Sequence, residues 1–257
     1  MPPALLLADV YREDVEPADY WVSEKLDGVR AYWNGKRLYF RSGHPVPVPD
    51  WFTRGFPAVP LDGELWLGRG AFERLSGIVR KTEPVDAEWR QVRYMLFELP
   101  EAPGTFTERK DRLHRLAVET GVPWLQAVEQ FRVVDRRALA EQLAAVVAAG
   151  GEGLMLHRAE AVYTSGRRND LLKLKPFFDR EARVVAHLPG AGRHAGHLGA
   201  LLVETDDGRR FRLGTGLSDA QRMSPPPVGS LVTYRYRGLT VNGLPRFPSF
   251  LRVRDEP

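Results

Sequence analysis

Trp21-Val22-Ser23-Glu24-Lys25-Leu26-Asp27-Gly28-Val29-Arg30-Ala31-Tyr32-Trp33 is the stretch on which the reading of this chain turns. Tyr20 to Glu24 has the composition of a strand, Lys25 leaves it, and Asp27-Gly28 signals a turn. Val29 to Trp33 and Arg37 to Arg41 then read as two strands around Asn34-Gly35, a strong hairpin signal. A lysine at such an exit presents its amine into a cleft, and the turn brings Asp27 and Arg30 close to it. Near its ordinary pKa of about 10.4, a lysine is a poor nucleophile at neutral pH. Desolvation or a nearby cation turns it into one. A solvated lysine beside a surface turn has the same local sequence, so this stretch alone leaves both readings open.

Working outward, the first two thirds of the chain mix strands and helices. Leu61 to Leu67 and Val92 to Leu99 are strand candidates. Thr105 with Glu108 forms a capping-box pattern that opens a helix running to about Gly121, with Leu113, Leu116 and Ala117 as its buried stripe. Asp135 starts a second helix with Leu139, Leu143, Val146 and Val147 on one face, ended by Gly150-Gly151. Strand candidates Gly153 to Arg158 and Leu171 to Lys175 follow. Pro176-Phe177-Phe178 then breaks the pattern, and only short strands come after it. These are Ala182 to Leu188, Leu198 to Glu204, Arg209 to Gly214, Leu231 to Arg237 and Phe250 to Arg254, with turns at Asp207-Gly208 and Asn242-Gly243. Such a series predicts a small antiparallel barrel, for which the OB-fold is the natural candidate. The expected architecture is therefore α+β: a mixed-sheet domain over residues 1–177, then an all-β OB-fold domain over 178–257.

Composition narrows the chemistry. Without cysteine, disulfides, thiolate metal sites and cysteine nucleophiles are excluded. No stretch approaches the roughly 20 apolar residues of a membrane helix. The apolar run at Met1–Ala8 lacks a basic flank and is too short for a secretory signal. The expected location is the cytoplasm as given, or the periplasm if an upstream signal has been removed. The net charge of +4 is carried after Phe177, where 12 arginines face 8 acids, against 25 cations and 25 acids before it. Phosphate backbones attract such a surface, and Arg193, Arg209, Arg210 and Arg212 fall in the region expected to face a nucleic acid. A soluble surface accounts equally well for so small an excess. His194 and His197 sit among glycines and read as a flexible basic loop rather than a metal site.

The chain resembles the covalent nucleotidyltransferase superfamily of DNA ligases, RNA ligases and mRNA capping enzymes. The resemblance rests on an ordered series: Lys25 to Arg30; Arg41-Ser42-Gly43; Leu61-Asp62-Gly63-Glu64-Leu65; Tyr94-Met95-Leu96-Phe97-Glu98; Glu152-Gly153-Leu154-Met155; and Leu172-Lys173-Leu174-Lys175-Pro176. The fourth has Glu98 where the superfamily more often has Asp. Arg246-Phe247-Pro248, leading through Arg252, Arg254 and Asp255, looks like the last motif of ATP-dependent DNA ligases, although Glu256 stands where they usually carry a lysine. The matches span residues 24 to 255, and the Trp21 to Trp33 run looks like the minimal bacterial two-domain ligases. The Arg-Phe-Pro motif argues against an RNA ligase or a capping enzyme. A binding protein on an inactive ligase scaffold would not need Lys25, Glu64, Glu152, Lys173 and Lys175 together.

What the resemblance implies is an ATP- and Mg²⁺-dependent DNA ligase, with Mn²⁺ able to substitute, acting as a monomer on nicked double-stranded DNA. Lys25 attacks the α-phosphorus of ATP and holds AMP as a phosphoramidate. Lys173 and Lys175, two apart on a strand and so on one face, stabilise phosphate charge and lower the pKa of Lys25. Glu152 holds magnesium, and Asp27 places a second metal or the 3′ hydroxyl. Glu64 accepts from a ribose hydroxyl, Phe97 stacks on adenine, and Glu24 belongs to the nucleotide site. Arg30 and Arg41 bind ribose and phosphate oxygens, and Arg41 also reaches the 5′ phosphate of the nick. Arg252, Arg254 and Asp255 orient the leaving pyrophosphate. For Phe97 the residues alone permit another reading, a strand aromatic in the core.

Overall fold

The computed structural model describes residues 2–240 and 242–254. The chain divides into two compact units, Met1–Lys175 and Pro176–Pro257.

The first unit is built on two five-stranded mixed sheets. One has the order β1-β10-β9-β2-β8, from Leu6–Val10 (β1), Tyr20–Glu24 (β2), Phe131–Arg132 (β8), Leu154–Arg158 (β9) and Gly166–Leu174 (β10). The other has the order β4-β3-β5-β6-β7, from Val29–Trp33 (β3), Leu38–Phe40 (β4), Leu61–Trp66 (β5), Arg93–Glu98 (β6) and Leu125–Ala127 (β7). In each, one edge strand pairs in parallel, β1 with β10 and β7 with β6, and the remaining pairs are antiparallel. Register does the positioning. Val22, Leu156 and Leu172 lie side by side and are all buried in the core. One residue along, Ser23, Met155 and Lys173 form the next row, and strand alternation turns that row to the opposite face, the cleft face.

The hairpin expected at Asn34-Gly35 is present. Asn34 Oδ1 accepts from the Lys36 and Arg37 amides, and Gly35 takes the positive φ of 89° that such a turn requires. Three helices, Asp50–Thr53 (α1), Phe72–Val79 (α2) and Asp86–Trp89 (α3), join a core around Phe52, Leu75, Trp89 and Tyr94. Phe106–Glu119 (α4) opens with the anticipated capping box: Thr105 accepts from the Glu108 amide, and Glu108 accepts from the Thr105 amide. Its buried side chains are Phe106, Arg109, Leu113 and Ala117, so a charged residue occupies the stripe read as purely apolar. Arg136–Ala148 (α5) is capped by Asp135 and buries chiefly Leu139.

The second unit is a five-stranded antiparallel sheet of order β13-β12-β11-β14-β15, from Phe178–Pro189 (β11), Leu198–Glu204 (β12), Arg210–Leu213 (β13), Leu231–Tyr236 (β14) and Ser249–Val253 (β15). Val184, Leu201, Val203, Leu213, Val232 and Tyr234 fill its core, and Asp219–Met223 (α6) lies beside β12. The strand content matches the OB expectation, but the barrel is not closed. Among the described residues, β13 and β15 do not pair; one parallel bridge joins Thr215, just after β13, to Ser249. β13 is four residues long, and Gly216, at φ 86°, turns the chain away towards α6. Phe178, read as part of a break, already belongs to β11 and pairs with Tyr236.

Candidate active site

A cleft of about 290 Å³ lies in the first unit, lined by side chains of both sheets. The exit of β2 places Lys25 in it, because the Lys25 amide donates to the carbonyl of Gly153 at 2.8 Å. Two glycines permit this approach. A Cβ on Gly28 would overlap the Leu65 carbonyl and the Glu64 side chain, and one on Gly153, at φ 151°, would overlap the Leu174 carbonyl.

The Lys25 and Lys175 ammonium groups each contact one oxygen of Glu152. Burial pushes the Glu152 carboxyl up, but Lys25 and Lys175 outweigh it and hold its pKa below the ordinary glutamate value. A half-buried carboxylate between two ammonium groups is a ready ligand for a hard cation. It is also a place where added phosphate would take over the ammonium groups. Among the described residues no three carboxylate or imidazole groups cluster as a metal site, so Glu152 would be a single protein ligand. That fits magnesium, which is commonly held by one or two carboxylates plus phosphates and water.

Arg30 is committed within the protein. Its Nε and Nη2 pair with Asp62 at 3.0 and 2.6 Å, Nη2 also donates to the Leu6 carbonyl at 2.8 Å, and the guanidinium lies 5.4 Å from the centre of the Phe97 ring. Sequence reasoning named Asp62 only inside a motif, yet it is fully buried and ties β5 to β3 and β1 through Arg30. Burial raises its pKa and the Arg30 charge opposes that rise. Glu64, on the same strand, is pushed up to about 8 by burial, against the opposing charges of Lys25 and Arg30.

Phe97 lines the cleft and is only partly buried, unlike its neighbours Leu96 and Glu98. Lys173 and Arg41 also line it. Glu24 lies there too, gripped by Arg69 through two bonds of 2.8 Å, while Arg69 donates to the Ala149 carbonyl at 3.1 Å. Sequence reasoning missed Arg69, which stands in a Gly-Arg-Gly turn with no motif signal. Asp27 is exposed at the turn and is not part of the cleft wall.

The remaining candidates belong to the second unit. Arg252 stands opposite Thr233 on β15, Arg254 pairs with Glu181, and Asp255 lies outside the described residues. Arg210 and Arg212 are exposed on one face of β13. Arg210 pairs with Glu204, and Arg209 pairs with Asp207 at 3.2 Å and donates to the Gly243 carbonyl at 3.1 Å. Arg193 is exposed in the loop before β12.

With this geometry in hand, comparison with known proteins is informative. Residues 7–175 match the family model of the ATP dependent DNA ligase domain, and residues 189–254 match that of a DNA ligase OB-like domain. A DNA ligase of Haemophilus influenzae is 37% identical over 97% of this chain and 92% of its own length. A solved Lig E DNA ligase, described as binding DNA with a minimal scaffold, is 46% identical, covering 99% of this chain and all of that one at a TM-score of 0.83. The Chlorella virus DNA ligase–adenylate structure, 21% identical at a TM-score of 0.60, shares the fold. Two family models in tandem and a relative matched almost end to end agree with the Lys25 cleft: this chain belongs to the ATP-dependent DNA ligases.

Proposed function

We propose that Lys25 is the nucleophile that takes AMP from ATP, and that the chain passes this AMP to the 5′ phosphate of a nick in duplex DNA before sealing it. The observation that carries the reading is Lys25, which lines a cleft with Glu64 and Phe97 and is paired with Glu152, itself paired with Lys175. In the first step the Lys25 Nζ–phosphorus bond forms as the bond from the α-phosphorus to pyrophosphate breaks. Lys173 and Lys175 offset charge on the α-phosphate. Glu64 meets a ribose hydroxyl, Phe97 stacks on the base, and Glu24, fixed by Arg69, supports the loop that carries Lys25. Arg30 acts by holding Asp62, β1 and the Phe97 ring in place, with Arg41 left to meet phosphate.

Glu152 is suited to hold Mg²⁺, or Mn²⁺ in its place, and Asp27 to serve later with a second ion or the 3′ hydroxyl; bound metal would neutralise phosphate charge. Arg252, Arg254 and Asp255 would act on the pyrophosphate in the first step alone. Arg193, Arg209, Arg210 and Arg212 would meet the DNA backbone. The working divisions are a nucleotidyltransferase domain over 1–177 and an OB domain over 178–257, in a monomer acting in the cytoplasm. Among the described residues, no helix is long and apolar enough to cross a membrane.

The test is incubation with labelled ATP and Mg²⁺, then with nicked DNA. One AMP should appear on Lys25, stable to base and labile to acid, and should leave with the DNA. An adduct on another residue, or none, overturns the reading.

A further inference from the structure

Arg69 stands between β5 and α2, in the turn Gly68-Arg69-Gly70, and both glycines take a positive φ, 126° and 69°. A Cβ on either would meet nothing, so glycine serves the shape of the turn there and not its packing. The turn belongs to the sheet of β5, yet the guanidinium bonds to the other sheet. Its Nε and Nη2 each donate to one oxygen of Glu24 at 2.8 Å, and its Nη1 donates to the Ala149 carbonyl at 3.1 Å. Glu24 is the last residue of β2, and Ala149 closes α5, which packs on the sheet that holds β2. One side chain therefore straps elements of both sheets together at the residue that precedes Lys25.

Stability is a weak reason for this strap. Arg30 makes a comparable crossing, from β3 to the Leu6 carbonyl, but its partner Asp62 is fully buried, where a broken pair is costly. The Arg69 side chain is 39% exposed and that of Glu24 22%, and so open a pair contributes little to the fold. A two-bond fork does fix geometry, because both oxygens of the carboxylate are engaged at once. The surroundings keep room for it: a Cβ on Gly151 would press on Val146 and come within 3.0 Å of Glu24 Oε1. Glu24 lines the cleft, but its carboxylate is committed within the protein.

We propose that Arg69 is a positioning residue for the transfer of AMP to Lys25, holding the strand end from which the nucleophile departs, and that Glu24 acts through this strap rather than on ATP. The inference rests on the reading of Lys25 as the nucleophile. Arg69 touches no reacting atom. Its effect is on how often the Lys25 amine is in place to attack, so it belongs in kcat and not in the affinity for ATP.

Adenylation kinetics test it. Arg69→Met should lower kcat for lysyl-AMP formation about 10-fold or more, with KM for ATP near wild type. Its Tm should move by no more than about 4 °C. Sealing of a nick supplied already adenylated, which does not use Lys25, should stay near the wild-type rate; an equal loss in both reactions would point to general distortion and overturn the proposal. Arg69→Lys keeps the charge but not the fork and should recover only part of the rate, whereas full recovery would show that charge alone matters and overturn the strap. Glu24→Ala should reproduce Arg69→Met, and the double variant should be no slower than the slower single one, because both remove the same link. Losses that multiply, or a raised KM for ATP with unchanged kcat in Glu24→Ala, overturn the proposal. Should Arg69→Met fail to fold, Glu24→Ala leaves the arginine in place and carries the same test. Normal lysyl-AMP formation in both wild type and Arg69→Met overturns the strap alone; failure of the wild type to take AMP on Lys25 overturns the reading of the cleft with it.

Discussion

The two units differ in whether they bury charge. In the first, Glu98 and Arg109 pair at 2.8 Å with side chains no more than 2% exposed, and Arg109 also donates to the carbonyls of Gly104 and Ala161. One guanidinium therefore joins α4, β6 and the chain before β10. Asp62 and Arg30 do the same beside the cleft. In the second unit, Glu204–Arg210, Asp207–Arg209 and Asp179–Arg235 pair on the surface, with side chains a third or more exposed. Buried pairs lock geometry because removing one partner strands the other in a medium that cannot solvate it. Exposed pairs are screened and contribute little to stability, but they leave charge where a polyanion can reach it. The first unit uses buried charge to hold a cleft and carries surface pairs such as Arg137–Glu141 as well, whereas the pairs of the second, among the described residues, are displayed.

The largest effect expected from this contrast is at Lys25. Lys25→Ala should abolish lysyl-AMP formation and the sealing of ordinary nicks, with Tm close to wild type, because its ammonium sits in a half-open cleft rather than in a core. The same variant should still seal a nick supplied already adenylated, since that step needs no lysyl-AMP. Residual sealing of ordinary nicks under saturating ATP breaks the assignment.

Next in size is the buried pair. Arg109→Met leaves Glu98 without its partner and should cost about 3–5 kcal/mol in denaturant unfolding. Arg210→Ala removes the corresponding surface partner of Glu204 and should cost under about 1 kcal/mol. Equal losses in the two variants would dissolve the distinction between the units.

A smaller effect should follow pH. Burial, aided by the Arg109 charge, depresses the His157 pKa well below its ordinary value. The unfolded chain then takes up a proton near pH 6.5 that the folded chain refuses. The contribution is complete above pH 6.5 and is lost as pH falls towards the folded pKa, at no more than about 1.4 kcal/mol per pH unit. Comparing wild type with His157→Phe between pH 8 and pH 5 removes the terms common to both, including that of Glu98. Parallel stability curves would show that His157 is not held neutral.

These residues also mark how far the sequence could be read. Lys25, Glu64, Phe97, Glu152, Lys173 and Lys175 could be nominated from the sequence because motif order survives in the chain whatever the packing, and the roles given them are proposed. The helix at Phe106–Glu119 was legible because its cap is local, Thr105 to Glu108. β1 was not, since Leu5-Leu6-Leu7-Ala8 has no alternation and its partner, Gly166 onwards, lies far along the chain and starts in a polar run. α2 left a signal, apolar residues at Leu75, Ile78 and Val79, that was passed over. Arg109 and Asp62 were hidden because a charge reads as surface until its buried partner is known. The open barrel depends on how few residues β13 offers to β15, which no periodicity encodes.

The smallest expected effect on the fold is the most telling for the second unit. Arg210 begins a strand whose exposed face continues with Arg212, Arg209 stands just before it, and their acidic neighbours Asp207 and Glu204 offset only part of that charge. If this surface holds DNA, the contacts are to phosphate, and each releases counterions on binding. Phosphates carry no base code, so affinity should fall steeply with salt and depend little on sequence. Arg209→Ala with Arg210→Ala should raise the KM for nicked DNA and flatten the salt slope by up to about one unit per lost contact. Stability should fall by less than about 1 kcal/mol, since both pairs are exposed. Adenylation by ATP alone should stay near wild type, because that step involves no DNA. A double variant that loses adenylation but keeps its DNA affinity and salt slope would show that the β13 surface is not the DNA-binding face. The displayed charge of the second unit would then need another purpose.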